Sequence, residues 1–384
     1  MSTSPLPDHA PGGMAGLRVL DLTWAQAGPL ATLLLADLGA DVLKVEPKAG
    51  DISRRVPPFP GGLSWVFSAL NRGKRSIRLD LKDPEDHRWI LGLIDGADVV
   101  VENFAPGVMD RLGLGARTLR ERNPRLVYAS CSGFGQDDTA AAPAFDLVIQ
   151  ALSGVMQLTG EPGSGPVRVG FSSADIGGAL YLTIAILQAL LERERTGRGT
   201  RVDVSMMDAQ TALLWDPIGE YLATGHAPEK LGSRHALAAP FQGFATADGD
   251  VVVAVVTDAQ FAGLCRALGR AELAADERFA TGTDRVANVE ALDAELAPSF
   301  AALATERAVA WLTAERVPAA PVLDVARAVD LPYVRRMLID LGAHGSVIGS
   351  PVRREGEWLR RPDPAPRLGE HEGGTLWAPR PKGD

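Results

Sequence analysis

Short apolar runs and helix-like segments alternate through the first third of the chain, and this alternation constrains the fold more than any other feature of the sequence. Runs at 17–22, 41–46 and 98–103 are typical of buried strands, and helix-like segments at 29–38 and 84–96 lie between them. Strand, helix and strand in repeated order predict right-handed crossovers and a mainly parallel α/β sheet. Ligands bind beyond the carboxyl ends of the strands in such sheets. The loops concerned follow Leu22, Glu46, Asn103 and Ser130.

The pattern changes beyond residue 145, and it divides the chain into three segments. Residues 1–225 are predicted to form the first part of a large domain. Residues 226–320 are predicted to form a smaller α+β domain, because the turn signal Ala247-Asp248-Gly249 joins two strand-like runs and Ala-, Leu- and Glu-rich helices follow. Residues 321–384 are predicted to return to the large domain.

Composition disfavours several classes of protein. Cys131 and Cys265 are the 2 cysteines, too few for a disulfide framework or a thiolate metal site, and they favour a reducing cytoplasm. The 6 histidines form no i,i+3 or i,i+4 pair and no HExxH motif, so no metal site is predicted. A formal net charge of −9 disfavours nucleic acid, although it leaves room for one basic pocket for a phosphate ligand.

No targeting or membrane segment is predicted. Residues 1–14 lack a basic region followed by an apolar core, so they do not have the pattern of a signal peptide. The longest apolar stretch, at 177–191, is shorter than the roughly twenty residues that a membrane span needs. It is therefore predicted to be a buried helix.

One acidic side chain lies where this helix is predicted to begin. Asp175 is placed in a loop just before Gly177 and Gly178, which are predicted to open the helix. Unpaired backbone N–H groups and the positive end of the helix dipole would keep its carboxylate ionised, as a nucleophile requires. The alternative is that Asp175 is only an N-cap.

A basic loop and a strand end supply candidate ligands for phosphate. Lys74 and Arg75 belong to a run of cations before a predicted strand, which fits a phosphate site or a solvated basic loop. Asn103 ends a predicted strand on the ligand side, and Arg111 follows about two helical turns later, although Asn and Gly are ordinary turn residues there. No GxxxxGKS or GxxxxGKT motif is present and no GxGxxG follows the first strand, so a nucleoside triphosphate and NAD are not indicated.

In their order and spacing, stretches along nearly the whole chain resemble the class III CoA-transferases of the CaiB/BaiF type. The matching stretches are 16–22, 27–29, 38–46, 71–76, 101–104, 123–127, 174–175, 193–199, 202–205, 318–322 and 368–371. The resemblance implies a Rossmann-like large domain built from both ends of the chain, a small α+β domain, and two subunits interlocked as a homodimer. It implies acyl-CoA and a carboxylic acid as substrates, and no tightly bound cofactor.

The resemblance also implies catalytic roles. Asp175 falls at the position of the family's acyl-accepting aspartate. Gln26 matches a family glutamine that lies near the acyl carbonyl, and we expect Gln26 to orient that carbonyl. Gly177 and Gly178 are expected to keep backbone N–H groups accessible to the developing oxyanion.

Five residues are expected to bind CoA. Lys74, Arg75 and Arg111 are the cations that we place near its roughly four negative charges. By resemblance, Asn103 and Phe104 line the path of its pantetheine and adenine groups.

The expected chemistry follows from the aspartate. Its ordinary pKa of about 4 makes it anionic at neutral pH, so it needs no general base. It attacks the thioester carbonyl, expels the CoA thiolate and forms a mixed anhydride. The thiolate then returns to give an aspartyl-CoA thioester, which the acceptor carboxylate attacks.

The substrate and two alternative functions stay open at this point. Residues 236–241 replace a run of glycines found in the formyl-CoA branch, so the resemblance favours succinyl-CoA or another short-chain or dicarboxylic acyl-CoA over oxalate chemistry. An α-methylacyl-CoA racemase shares the aspartate, but it needs a second acid/base group, and Phe145 stands where that branch has a histidine. A non-catalytic CoA-binding protein has little use for Asp175.

Overall fold

A computed structural model describes residues 12–136, 143–373 and 377 of the chain. They form two compact units. The large unit consists of the described residues within 1–155, 168–224 and 336–384, and the small unit consists of 156–167 and 225–335.

A six-stranded parallel sheet forms the centre of the large unit, which confirms the predicted α/β class. Its strands are β1 (Arg18–Asp21), β2 (Asp41–Glu46), β3 (Arg75–Arg78), β4 (Val99–Glu102), β5 (Val127–Ser132) and β6 (Arg201–Ser205). They lie in the order β3-β2-β1-β4-β5-β6, which is the order of a Rossmann sheet. The strand order reverses between β1 and β4, and a crevice forms at such a switch point.

Helices cover both faces of this sheet. The large unit contains α1 (Ala27–Asp37), α2 (Trp65–Asn71), α3 (Pro84–Asp95), α4 (Val108–Arg111), α5 (Ala116–Arg122), α6 (Asp146–Leu152), α8 (Ser173–Thr196), α9 (Met206–Leu213) and α10 (Trp215–Thr224). Helix α7 (Val155–Leu158) starts at the unit boundary, and all but its first residue belongs to the small unit. Residues of α1 and α8 share a core with Val19 of β1, and residues of α3 and α5 share one with the neighbouring Leu20. Successive strand residues are therefore buried on opposite faces, as in a sheet covered on both sides.

The helix that carries Asp175 begins earlier than predicted. Helix α8 starts at Ser173, so Asp175 is its third residue rather than part of a preceding loop. Among the described residues, α8 is the one helix long and apolar enough to cross a membrane by length and composition, and half of its most apolar window is buried. Its buried residues belong to the core shared with α1 and β5, so in this structure α8 is a core helix of the large unit.

The small unit contains the predicted α+β elements. Its antiparallel sheet consists of β7 (Phe241–Ala245), β8 (Asp250–Ala254) and β9 (Ala319–Pro321), in that order. Its helices are α11 (Asp258–Ala267), α12 (Gly282–Ala287), α13 (Val289–Ala301), α14 (Thr305–Ala314), α15 (Val325–Val329) and α16 (Pro332–Arg335). The hairpin predicted around residues 247–249 is confirmed by the β7–β8 pairing.

The unit boundaries differ from the expected ranges in two respects. The chain leaves the small unit at 335 rather than at 320, because β9 pairs with β8 and two further short helices follow it. Residues 156–167 also belong to the small unit. The returning segment in the large unit contains the short strands β10 (Leu338–Asp340), β11 (Ser346–Ile348), β12 (Arg353–Arg354) and β13 (Glu357–Trp358).

Candidate active site

Two cavities lie beyond the carboxyl ends of the parallel strands, both within the large unit. The smaller cavity, of about 330 Å³, lies at the switch point and is lined by the loops after β1, β4 and β5 together with Asp175. The larger cavity, of about 1040 Å³, is lined by the loops after β1, β2 and β3 and by part of α4. Trp24 and Phe104 line both cavities. The four loops that the strand pattern indicated all line these cavities, and the loop after β3 joins them.

Asp175 lies in the wall of the smaller cavity with its carboxylate uncommitted. Its side chain has no hydrogen-bond or ion-pair partner among the residues that the structure describes, so it is not the N-cap of α8; Ser172 holds that position. Burial raises the pKa of Asp175 to about 7, and the carboxylate of Asp146 adds to the shift by repulsion. This corrects the expectation of an ordinary pKa, because an aspartate of this kind is only partly ionised at neutral pH.

The two glycines after Asp175 serve packing. Gly177 and Gly178 lie in the second turn of α8, where backbone N–H groups donate to carbonyls four residues earlier in the helix. A Cβ on Gly178 would lie 3.2 Å from the Cys131 Sγ, and one on Gly177 would lie 3.0 Å from a methyl group of Leu213. The expectation that these N–H groups stabilise an oxyanion is therefore wrong: the glycines let α8 approach β5 and α9 closely.

The turn between β1 and α1 brings Gln26 to Asp175. Gln26 occupies the N-cap position of α1 without a side-chain cap bond, and it lines the same cavity as Asp175. The preceding Ala25 has a φ of 64°, which is uncommon for a residue other than glycine. Its N–H donates to Asp51 at 3.3 Å, so a buried carboxylate supports the turn that presents Gln26.

Asn103 fastens this turn to the end of β4. Its side-chain oxygen accepts from the Trp24 N–H and its amide donates to the Trp24 carbonyl, both at 2.9 Å. Asn103 also lines the smaller cavity, and the next residue, Phe104, lines both. The structure thus brings Asn103 and Phe104 together with Asp175 and Gln26, and it adds a clamping role for Asn103.

Four cations surround the larger cavity. Arg111 was expected there, and Lys48, Arg55 and Lys82 join it. None of the four has an acidic side-chain hydrogen-bond or ion-pair partner within residues 12–136, 143–373 and 377. The three additional cations follow β2 and β3, so the rule that ligands bind beyond strand ends would have found at least Lys48 and Lys82.

The other two predicted phosphate ligands line neither cavity. Lys74 is fully buried, and its ammonium group lies within 3.0 Å of Asp21, the Pro29 carbonyl and further oxygen acceptors. Arg75 is the first residue of β3, at the amino end of the strand, whereas the cavities lie beyond the carboxyl ends. There it forms an ion pair with Asp41 at 2.7 Å. The expectation that Lys74 and Arg75 bind phosphate is therefore wrong, because their charges are already paired inside the fold.

No metal site is visible in the part of the chain that the structure describes. There, no three His, Cys, Asp or Glu side chains come together as possible metal ligands. Both cysteines are buried, and burial raises the pKa of the Cys131 thiol beside Asp175 far above its usual range.

Comparison with known proteins establishes the class. The family model described as CoA-transferase family III matches residues 14–372. An acetyl-CoA:oxalate CoA-transferase from Acetobacter aceti is 44% identical over 378 residues, which is 96% of each chain. A succinyl-CoA:mesaconate CoA-transferase from Haloarcula hispanica is 40% identical, covering 95% of this chain and 96% of its own length. A solved CaiB/BaiF family protein from Brucella suis superposes with a TM-score of 0.86 at 38% identity, covering 94% of this chain and 97% of that one.

A Rossmann-ordered sheet with an uncommitted aspartate beside a cation-lined cavity is thus the large unit of an enzyme that transfers CoA. The chain belongs to CoA-transferase family III.

Proposed function

We propose that the enzyme moves CoA from a short-chain or dicarboxylic acyl-CoA to a carboxylic acid through covalent intermediates on Asp175. The observation that carries this proposal is the position of Asp175, which lies in the smaller cavity without a hydrogen-bond partner among the described residues. A structural carboxylate at a helix N-terminus would accept hydrogen bonds from the backbone. This one is left free to attack.

The proposed reaction has two halves, and each half consists of two acyl-transfer steps at Asp175. An Asp175 oxygen attacks the thioester carbonyl, the C–S bond breaks, and CoA leaves as the thiolate. The thiolate then attacks the Asp175 carbonyl carbon of the mixed anhydride and releases the donor acid. An acceptor carboxylate attacks the resulting thioester, and the thiolate finally takes the acyl group from the second anhydride. CoA is transferred without net hydrolysis.

The larger cavity is the proposed site for the nucleotide end of CoA. Lys48, Arg55, Lys82 and Arg111 place four positive charges around a space of about 1040 Å³. The diphosphate and ribose phosphate of CoA carry roughly four negative charges, which such a cavity complements. Gln26, in the other cavity, is then placed to orient the acyl carbonyl.

The proposed donors and acceptors follow the relatives. Their names specify acetyl-CoA and succinyl-CoA as donors, and oxalate, mesaconate and glutarate as acids. We propose succinyl-CoA or acetyl-CoA as donor and a dicarboxylic acid as acceptor. A matrix of these donors and acids, read by mass spectrometry of the product CoA esters, identifies the pair, and oxalate belongs in it because of the Acetobacter relative.

The smaller cavity favours transfer over racemisation. Phe145 lines it where a racemase needs a second proton-transfer group, and no histidine is among its described lining residues. Incubation with one chiral 2-methylacyl-CoA in deuterated water therefore leaves the α-proton unexchanged. Rapid deuterium uptake without an acceptor acid would favour the racemase.

An interlocked homodimer is the proposed assembly. Helix α10 buries none of its residues, and Trp215 and Leu222 on it are 75% and 76% exposed. Leu152 and Ile184, on the mutually packed α6 and α8, are also exposed. Exposed apolar surface of this extent indicates an interface. Interlocked subunits should run at twice the mass of the 40.6 kDa chain, and differently tagged dimers should exchange subunits only after unfolding.

The covalent intermediate provides the direct test of the proposal. The wild-type enzyme, incubated with succinyl-CoA or acetyl-CoA and then quenched, should yield an Asp175 peptide that hydroxylamine converts to the hydroxamate. Asp175→Ala should yield none and lose CoA transfer, whereas Asp208→Ala, which removes an exposed carboxylate from the first turn of α9, should behave as wild type. Full transfer activity in Asp175→Ala would refute the mechanism.

A further inference from the structure

The N-terminus of α8 is capped by a residue from another helix. Ser172, its N-cap residue, makes no side-chain cap bond. Asp146, the first residue of α6, instead accepts from the backbone N–H of Ala174 at 2.9 Å and from that of Asp175 at 3.4 Å. Two carboxylates thus meet at one helix end, where one takes the free backbone donors and the other takes none.

A second residue of α6 extends this attachment along the chain. Gln150 is fully buried, and its amide donates to the other Asp146 oxygen at 2.6 Å and to the Phe171 carbonyl at 3.2 Å. Its side-chain oxygen accepts from the Val169 N–H at 2.9 Å. Since Asp146 and Gln150 lie one turn apart on α6, a single helix face holds the segment that leads into Asp175.

We propose that Asp146 is a positioning residue for Asp175, because it fixes the first turn of α8 and places a second carboxylate beside the nucleophile. The inference deepens the proposed function and rests on Asp175 being the acyl acceptor. Asp146 need not touch the substrate for this role. It acts on Asp175 through hydrogen bonds to the α8 backbone and through its own charge.

The electrostatic surroundings of Asp175 support this role. The Asp146 carboxylate takes the backbone donors that would otherwise stabilise an ionised Asp175. From β5, Asp175 faces the buried Cys131 thiol, which stays neutral because burial raises its pKa. Gln26, in the turn before α1, and Met206, on α9, bring no charge to the cavity. Asp146 is therefore the one charged side chain that acts on Asp175 among the residues described.

This charge has a chemical consequence for the first step. A thioester transfers its acyl group to a carboxylate less unfavourably when the acid and the departing thiol have similar pKa values. Burial and the Asp146 carboxylate raise the pKa of Asp175 to about 7, which is closer to the roughly 8.5 of a thiol than an ordinary aspartate is. The anhydride is then easier to reach.

The decisive variant is Asp146→Asn, which keeps the size of the side chain and an acceptor oxygen for the Ala174 N–H but removes the charge. Single-turnover formation of the acyl-enzyme from succinyl-CoA or acetyl-CoA is measured between pH 5 and pH 9. We expect the midpoint of the rise in rate to move to lower pH by about one unit, because a like charge has been removed. Asp146→Glu should restore the wild-type midpoint, and Asp208→Asn should not change it.

The outcomes separate this inference from the proposed function. If the wild type forms the Asp175 acyl-enzyme and Asp146→Asn has the same midpoint, the positioning role is overturned while the mechanism stands. If the wild type forms no acyl-enzyme, the proposed function itself fails. If Asp146→Asn does not fold, Asp146→Glu decides, because it keeps the carboxylate: a wild-type midpoint would support the role, and a displaced midpoint would overturn it.

Discussion

Two groups of cations in the large unit have opposite environments, although they come from the same stretch of chain. Lys44 and Lys74 are fully buried and form ion pairs with Asp51 and Asp21 at 2.9 and 3.0 Å. Lys48 and Lys82 instead line the larger cavity without an ion-pair partner in the described parts of the chain. The buried ion pairs organise the fold, whereas Lys48 and Lys82 are the cations that we propose for ligand binding.

The difference arises from where each cation lies relative to a strand. Lys44 is inside β2 and Lys74 just precedes β3, so both come before the carboxyl ends of these strands, and their ammonium groups contact the end of β1 and the segment that follows it. There Lys44 donates to the Thr23 carbonyl at 2.8 Å. Lys48 and Lys82 follow the carboxyl ends of β2 and β3, where parallel sheets bind ligands. Position along the strand, rather than local density of charge, therefore separates the structural cations from those that line the cavity.

The largest effect should come from breaking a buried pair. Lys74→Met leaves Asp21 charged and without its ammonium partner, and we expect a loss of about 3–5 kcal/mol in the free energy of unfolding, measured with urea at pH 7. Lys82→Met is the matched control and should change it by less than about 0.5 kcal/mol. Equal losses in the two variants would contradict the distinction between the groups.

Acid should remove the stability that the buried Asp21–Lys74 ion pair contributes. Burial alone would raise the pKa of Asp21, but the Lys74 and Lys44 ammonium groups lower it to about 2. A lowered pKa contributes stability that is present above the unfolded value near about 4 and is lost as the pH falls toward 2. The free energy of unfolding of the wild type, measured with urea, should therefore fall over that range. The free energy of unfolding of Lys74→Met, which is already lower, should fall less.

The cavity cations should respond in ligand affinity rather than in stability. Arg111→Ala and Lys82→Ala should each raise the Kd for CoA by about tenfold, because each removes a charge-assisted interaction of roughly 1.5 kcal/mol. Isothermal titration measures this, and added KCl should weaken wild-type binding as it screens the phosphates. Unchanged affinity in both variants would remove the larger cavity from the CoA site.

Asp175 should be costly to the fold in the ionised state. Because its pKa is raised to about 7, the stability linked to its neutral form is complete below about pH 4 and is lost as the pH rises through 7. Asp175→Asn should therefore raise the melting temperature at pH 8 and leave it nearly unchanged at pH 4. A lower melting temperature at pH 8 would mean that the ionised carboxylate is stabilised.

The smallest effect should come from Arg75→Ala. Its ion pair with Asp41 is only partly buried, so we expect a loss of about 1 kcal/mol or less and no change in the Kd for CoA. A clear loss of CoA affinity would return Arg75 to the binding site.

The sequence predicted those parts of the molecule that depend on local pattern. The parallel strands, helix α3 and the β7–β8 hairpin all follow from residues that are neighbours along the chain. Asn103 and Arg111 were singled out because they follow β4, a strand at the switch point, whereas Phe104 came from the family resemblance.

The missed features depend on contacts between distant segments. Asp146 caps a helix end 28 residues away, and nothing local to Asp175 reveals that its free donors are already taken. Lys74 looks like a surface cation until the fold places Asp21, 53 residues earlier, against it. Gly177 was predicted to open the helix, but the helix extends back to Ser173, because contacts from α6 hold its first turn.

The shared wall of the two cavities sets a requirement for substrate length. Because Trp24 and Phe104 border both spaces, a ligand with its nucleotide in one and its thioester in the other must pass these rings. The slender pantetheine arm then works as a ruler that brings the carbonyl to Asp175. Acyl thioesters of a short thiol lack the pantetheine arm and the nucleotide. They should react more slowly even at saturating concentration, because no binding energy from a distant nucleotide holds their carbonyl at Asp175.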